Sequence, residues 1–204
     1  MANATSLRTE PVPGASEEEP LSPLERHAAF FDPDNTGSVT YGQTVAGLRA
    51  LGMPLHWQYV LPIIINGFLG YLTQGKPSFT IDVQKIADGK HPYDTGIFDD
   101  AGEFDEKAFE ALLGAASGGK LTKAEMDTLI RGRGNRRPQM GKLAGSLGRW
   151  FSARETQLLF CLASDTTKNG EPAITPRTLK RFYDGTLLHT LARLRRAKLA
   201  AAAK

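Results

Sequence analysis

Residues 22–52, SPLERHAAFFDPDNTGSVTYGQTVAGLRALG, restrict this chain more than any other stretch. Ser22 followed by Glu25, and Thr40 followed by Gln43, are two capping boxes, each marking a helix start. Pro23 fits a first helical turn, and the first helix then carries Leu24, His27, Ala28 and Phe31 on it. Asp32 to Gly37 are turn residues that break it. A second helix is expected from about Tyr41 to Leu51, stopped by Gly52. The segment is therefore a helix–loop–helix, and the fold class expected is mainly α. It begins with a single EF-hand-like unit, followed by a helical domain with a short apolar segment.

The loop alternates oxygen-bearing residues at the spacing of a calcium loop. Asp32, Asp34, Thr36, Ser38 (through its carbonyl) and Gln43 fall at ligand positions one, three, five, seven and twelve, with Gly37 at six and Thr40 at nine. The last position ordinarily holds a bidentate glutamate; Gln43 offers one neutral carbonyl. A weak calcium site and a metal-free loop whose Thr40 and Gln43 only cap the exit helix both remain open. The loops from Asp99 and from Asp165 have turn chemistry without a full ligand set.

Further helices are expected from about Asp105, from Thr122 with Glu125, from Ser152 with Glu155, and from Thr175 with Pro176 in the first turn. The longest apolar run, Tyr59 to Leu72, is too short to span a bilayer and is interrupted by Pro62, Asn66, Gly67 and Gly70. It packs in the core or dips into a membrane surface. Residues 1–22 are polar, rich in Pro and Glu, without the apolar core of a secretory signal, and are expected to be disordered. A net charge of +3 is far short of a dedicated nucleic-acid binder, and no nucleic-acid partner is expected. Cys161, alone in LLFCLA, is expected to be a buried small hydrophobe, and with no internal disulfide a reducing compartment fits. Of four histidines, His56 and His189 read as surface or helix-face residues. His27 precedes the loop, and His91 stands in GKHPYDTGIFD. Two such histidines on separate elements could converge on one metal or cofactor.

Four ordered segments resemble the caleosin family, the haem peroxygenases of lipid droplets. They are LERHAAFFDPDNTGSVTYGQTVAGLRALG, KHPYDTGIFDDAGEFDEKAFEALL, GRWFSARETQLLFCLASD and ITPRTLKRFYDGTLLHTL, and the resemblance runs from about Pro23 to Leu191. It implies a peroxygenase that uses haem b and moves oxygen from fatty-acid or organic hydroperoxides to unsaturated fatty acids or other acceptors. It carries the haem-binding role to His27 and His91, with His91 or Asp94 as an acid–base group. It also implies a lipid-droplet or endoplasmic-reticulum surface, with a cytosolic pool besides. Gln43 and the short apolar run depart from the family's pattern, so surface association is expected rather than stable insertion. The basic loop with Arg131, Arg133, Arg136 and Arg137, and the basic tail, could meet anionic head groups or remain solvated. The expected organisation is a disordered segment 1–22, the helix–loop–helix 23–52, an apolar membrane-proximal segment 53–80, a helical haem region 81–191 and a basic tail 192–204. Two other readings compete. One is a non-catalytic lipid-surface protein with a weak calcium loop; the other is a soluble helix–loop–helix calcium binder that recruits a protein partner.

Overall fold

The computed structural model describes residues 20–90, 93–114, 116, 119–134 and 141–203. They fold into eight α-helices with short strands between them. In chain order these are α1 (Pro23–Ala29), β1 (Ser38–Val39), α2 (Tyr41–Leu51), α3 (Leu55–Gln74), β2 (Ile81–Asp82), a 3-10 turn (Ile86–Gly89), α4 (Glu106–Gly114), β3 (Leu121–Thr122), α5 (Lys123–Arg133), α6 (Gly141–Ala163), β4 (Thr166–Lys168), β5 (Glu171–Ile174), α7 (Pro176–Tyr183) and α8 (Leu187–Ala202).

The expected caps form. Ser22 Oγ accepts from Glu25 N at 3.3 Å while Glu25 Oε2 accepts from Ser22 N at 2.7 Å. Thr40 and Gln43, and Thr122 and Glu125, close the same reciprocal pair. Thr175 caps α7 with Pro176 at its start. Ser152 is not a cap: α6 begins at Gly141, and Ser152 lies buried in its middle, its carbonyl accepting from Thr156 Oγ1 at 2.9 Å. No proline interrupts α6, so the helix runs through a position that local chemistry would allow as a start. Cys161 is exposed, not buried. Leu159 and Phe160 take the buried face of α6, and the helical turn of about 100° per residue carries Cys161 off it. The apolar run is one continuous helix, α3, with Pro62 inside it.

A single helix–loop–helix understates the architecture, because the arrangement recurs. Gly37, Val39, Thr40 and Gln43 in the first loop correspond in spacing to Gly119, Leu121, Thr122 and Glu125 between α4 and α5. Both glycines have positive φ (75° and 69°), where the loop reverses before its strand. Val39 and Leu121 are each almost fully buried. Each pairs antiparallel with the strand of a further loop: Val39 with Ile81, and Leu121 with Ile174. The sheet of the second half has the order β3-β5-β4. Asn66 of α3 ties the first ladder down, its amide donating to the carbonyls of Val39 (3.2 Å) and Phe79 (2.9 Å).

Each half has its own core. Leu112, Leu121, Met126, Phe160, Ile174 and Leu179 pack in the second half. Val39, Ile81, Val83 and Ile86 form one cluster of the first, and Leu48, Met53 and Leu61 another.

Candidate functional site

Between the two sets of core residues lies a cavity of about 290 Å³. Leu48, Leu61, Ile65 and Leu69 wall it from the first half, and Met126, Ile130, Phe151 and Leu159 from the second. Most of its surface is aliphatic or aromatic. The polar side chains at its wall are Thr44 and Thr156, whose hydroxyls donate to the Thr40 and Ser152 carbonyls, and Ser152, His27, Lys90, Asp94, Thr95, Arg154, Glu155 and Tyr183.

His27, half-buried on α1, lines this cavity. Its pKa is lowered: burial disfavours the imidazolium, Glu155 and a hydrogen bond to the Phe182 backbone oppose this, and His189 adds to the lowering. Its ring meets the Phe182 ring edge-on at 5.1 Å. Burial thus favours the neutral imidazole, and a neutral imidazole can ligate an iron; His27 presents one at a mostly apolar wall. On this ground the residues present fit a haem.

Asp94 also lines the cavity, with Oδ1 accepting from Gly96 N at 2.8 Å. The structure therefore brings His27 and Asp94, distant in sequence, to one cavity. His91 lies outside the described residues; Lys90 and Asp94, on either side of it in sequence, both line the cavity. Lys90 is buried, and its ammonium donates to the Asp99 carbonyl and to Asp100 Oδ1.

Several residues at the site escape a reading of the sequence. Tyr183 is almost fully buried, and its hydroxyl donates to Thr95 Oγ1 at 2.9 Å. Burial pushes its phenol pKa far up, so it stays protonated. Glu155, expected only to cap a helix, stands at the exposed side of the cavity beside Arg154, whose guanidinium lies 5.6 Å from the centre of the Trp150 ring. The adjacent aromatic pair Phe182–Tyr183 was the available signal, but nothing local says which side chains it faces.

The loop Asp32–Gln43 is a separate hydrogen-bonded unit. Asp32, buried, accepts from Gly37 N at 2.7 Å and from Thr36 N and Oγ1 at 3.1 Å each. Thr36 Oγ1 also lies 3.1 Å from the Ser38 carbonyl. Gln43 Oε1 accepts from Thr40 N at 2.8 Å and Thr40 Oγ1 at 2.9 Å, while Gln43 Nε2 reaches Asp34 Oδ2 at 3.5 Å. All five expected ligand residues therefore gather, but they satisfy one another. The corresponding loop of the second half is closed by a cation of the chain itself. Lys168 Nζ lies 2.6 Å from Glu125 Oε1 and 3.0 Å from the Lys120 carbonyl, the counterparts of Gln43 and Ser38.

The surface of α3 is unusual. Leu55, Trp57, Tyr59, Val60, Ile63 and Tyr71 are exposed, and the helix contains no Asp, Glu, Lys or Arg. Among the described residues no helix is long and apolar enough to cross a membrane.

Comparison with known proteins agrees with these features. The family of caleosin-related proteins matches residues 19–192. The chain is 30% identical over 184 residues to a protein of Arabidopsis thaliana named probable peroxygenase 4, covering 86% of this chain and 88% of that one. It is 27% identical over 185 residues to a peroxygenase of Lilium longiflorum, covering 87% and 73%. No solved structure matches.

Proposed function

Because this chain belongs to the caleosin family, we propose that it is a haem-dependent peroxygenase. Its oxygen donor is a fatty-acid or organic hydroperoxide, and its acceptors are unsaturated fatty acids or other oxidisable groups at a lipid surface. The observation that carries this reading is His27, its imidazole favoured as neutral, at the wall of a mostly apolar cavity. His27 would hold the haem from α1, and His91 is the second histidine that the resemblance assigns to it. When bound, the haem supplies the iron at which the hydroperoxide O–O bond breaks. One oxygen passes to the acceptor, as to an alkene to give an epoxide, and the rest of the hydroperoxide leaves as the alcohol. The aliphatic wall receives an acyl chain and excludes water. The Asp94 carboxylate, which accepts from Gly96 N at the cavity wall, would take the hydroperoxide proton and return it to the departing alkoxide oxygen.

The exposed apolar face of α3 supports residence on a droplet or endoplasmic-reticulum surface, with a cytosolic pool. Arg193, Arg195, Arg196 and Lys198 on α8 add attraction to anionic lipid. We read the loop Asp32–Gln43 as an EF-hand-like unit that binds Ca2+ weakly, because Gln43 offers no charge. A lipid-surface protein without catalysis would keep α3 and the loop but need no histidine in the cavity.

One preparation tests the reading. Protein supplied with haem is expected to show a Soret band and to epoxidise oleic acid with an organic hydroperoxide. His27→Ala is expected to lose both. A wild-type protein with no Soret band and no turnover would leave the non-catalytic alternative.

A further inference from the structure

We propose that Tyr183 is a positioning residue: its hydroxyl bond to Thr95 holds the Asp94–Thr95 segment at the cavity wall, while its neighbour Phe182 holds His27. The proposal rests on the peroxygenase reading for its effect on turnover, though not for the contact itself.

Three observations carry it. First, the end of α7 touches both site segments. The Phe182 ring meets the His27 imidazole edge-on at 5.1 Å; one residue on, Tyr183 Oη donates to Thr95 Oγ1 at 2.9 Å. Second, Tyr183 is rigid. It is 2% exposed, and its ring packs against Phe98 (5.5 Å), Phe109 (6.1 Å) and Phe182 (5.1 Å), so its hydroxyl cannot swing away. Third, the chain leaves α7 through Gly185 pressed against α1. A Cβ at Gly185 would lie 2.6 Å from the Pro23 carbonyl oxygen and 2.9 Å from His27 N. The stretch from Phe182 to Gly185 thus fixes the His27 helix from one side and the Asp94 segment from another.

The segment needs an anchor. Residues 93–96 are irregular backbone, half-buried, and within them Asp94 Oδ1 accepts from Gly96 N. Tyr183 crosses from another element, 88 residues away in sequence. A carboxylate that must meet a hydroperoxide proton needs placement to a fraction of an ångström. Tyr183 itself, protonated and already donating to Thr95, positions rather than reacts.

The test uses the full chain with and without haem. Tyr183→Phe and Thr95→Val each remove the same bond and little volume. Each is expected to lower kcat by about ten- to hundredfold, with KM within about twofold and the Soret band retained. The double variant is expected to lose no more than either single one, and Thr95→Ser, which keeps the hydroxyl, to retain wild-type turnover. In the haem-free protein, amide exchange of residues 93–98 is expected to accelerate in Tyr183→Phe while that of α5 stays unchanged. Unchanged kcat, additive losses, or unchanged exchange at 93–98 overturns the proposal. If wild-type protein binds no haem, the peroxygenase reading fails alone, and the exchange measurement still decides whether Tyr183 anchors the segment.

Discussion

Replacing Gly185 by alanine tests the contact between α7 and the helix of His27. Gly185 has φ +81°, a left-handed conformation that costs an L-residue about 1–2 kcal/mol. The new Cβ would also fall 2.6 Å from the Pro23 carbonyl oxygen, 2.7 Å from Arg26 Cβ and 2.9 Å from His27 N, mostly backbone that cannot rotate aside. Overpacking of this kind costs about 1–3 kcal/mol. Gly185→Ala is therefore expected to destabilise by about 2–5 kcal/mol. Gly170→Ala is the control, since Gly170 has nearly the same φ, +82°, with no atom within 4 Å of a Cβ, and only the backbone penalty applies. Urea denaturation of both variants beside wild type isolates the contact as their difference, about 1–3 kcal/mol. Haem titration followed at the Soret band should show weakened binding in Gly185→Ala alone, because His27 moves with α1. Equal destabilisation of the two variants, with equal haem binding, would refute the close approach of α7 to α1 as the anchor of His27.

Lys168→Met should cost about 1 kcal/mol, the ion pair with Glu125 being half-screened at 14% and 31% side-chain exposure. The hydrogen bond from Lys168 is the main reason the Glu125 pKa is lowered, so this stability is present above the ordinary value of 4.5 and vanishes as pH falls through the folded value. Denaturation midpoints of wild type and variant should converge in acid and separate near neutrality. Gln43→Glu should raise calcium affinity at least about tenfold by restoring a charged ligand, and lower stability without calcium because the new carboxylate faces Asp34; calorimetry with calcium reads both, and unchanged affinity would show that the loop is closed to the ion. His27 contributes in the same acid direction. Its folded pKa lies below 6.5, so below pH 6.5 the unfolded chain takes up the proton first and stability falls until the folded value is passed. His27→Gln should flatten that part of the stability–pH curve, and an unchanged slope would refute the lowered His27 pKa.

The parts of the fold that were legible in the sequence are those with local causes. Ser22, Thr40, Thr122 and Thr175 each announce a helix through a side chain bonded within three residues, and each does so in the structure. Ser152 shows the limit of the same rule, since a capping pattern cannot start a helix already running from Gly141. The second loop escaped because its ligand residues are gone: no acidic residue stands at 114–118, and only Gly119, Leu121, Thr122 and Glu125 keep the spacing. His27 and Asp94 were legible as candidates by resemblance, but not their meeting, nor Tyr183 and Thr95. Those contacts join residues far apart in the chain, and no periodicity encodes them.

The duplicated plan explains why a cavity exists where it does. In each half the loops are joined by a short ladder, Val39 with Ile81 and Leu121 with Ile174, and the helices pack apolar residues beneath it. Two cores built this way leave a seam between them, and an apolar seam that neither half fills is a ready acyl-chain site. His27 reaches the seam from the first half; Phe182 and Tyr183 reach it from the second, where they meet His27 and Thr95. Both loops are closed by bonds of the chain itself. Gln43 spans Thr40 and Asp34 in one, and Lys168 spans Glu125 and Lys120 in the other. A calcium ion in the first loop would then displace internal bonds of similar direction, so its coupling to the cavity must be weak. It can act through Phe31, Val39 and Thr44, the cavity-lining residues within or beside the loop. Strong calcium control of turnover in the wild-type chain would mean instead that the loop reorganises α1, and that its internal bonds do not stand in for the ion.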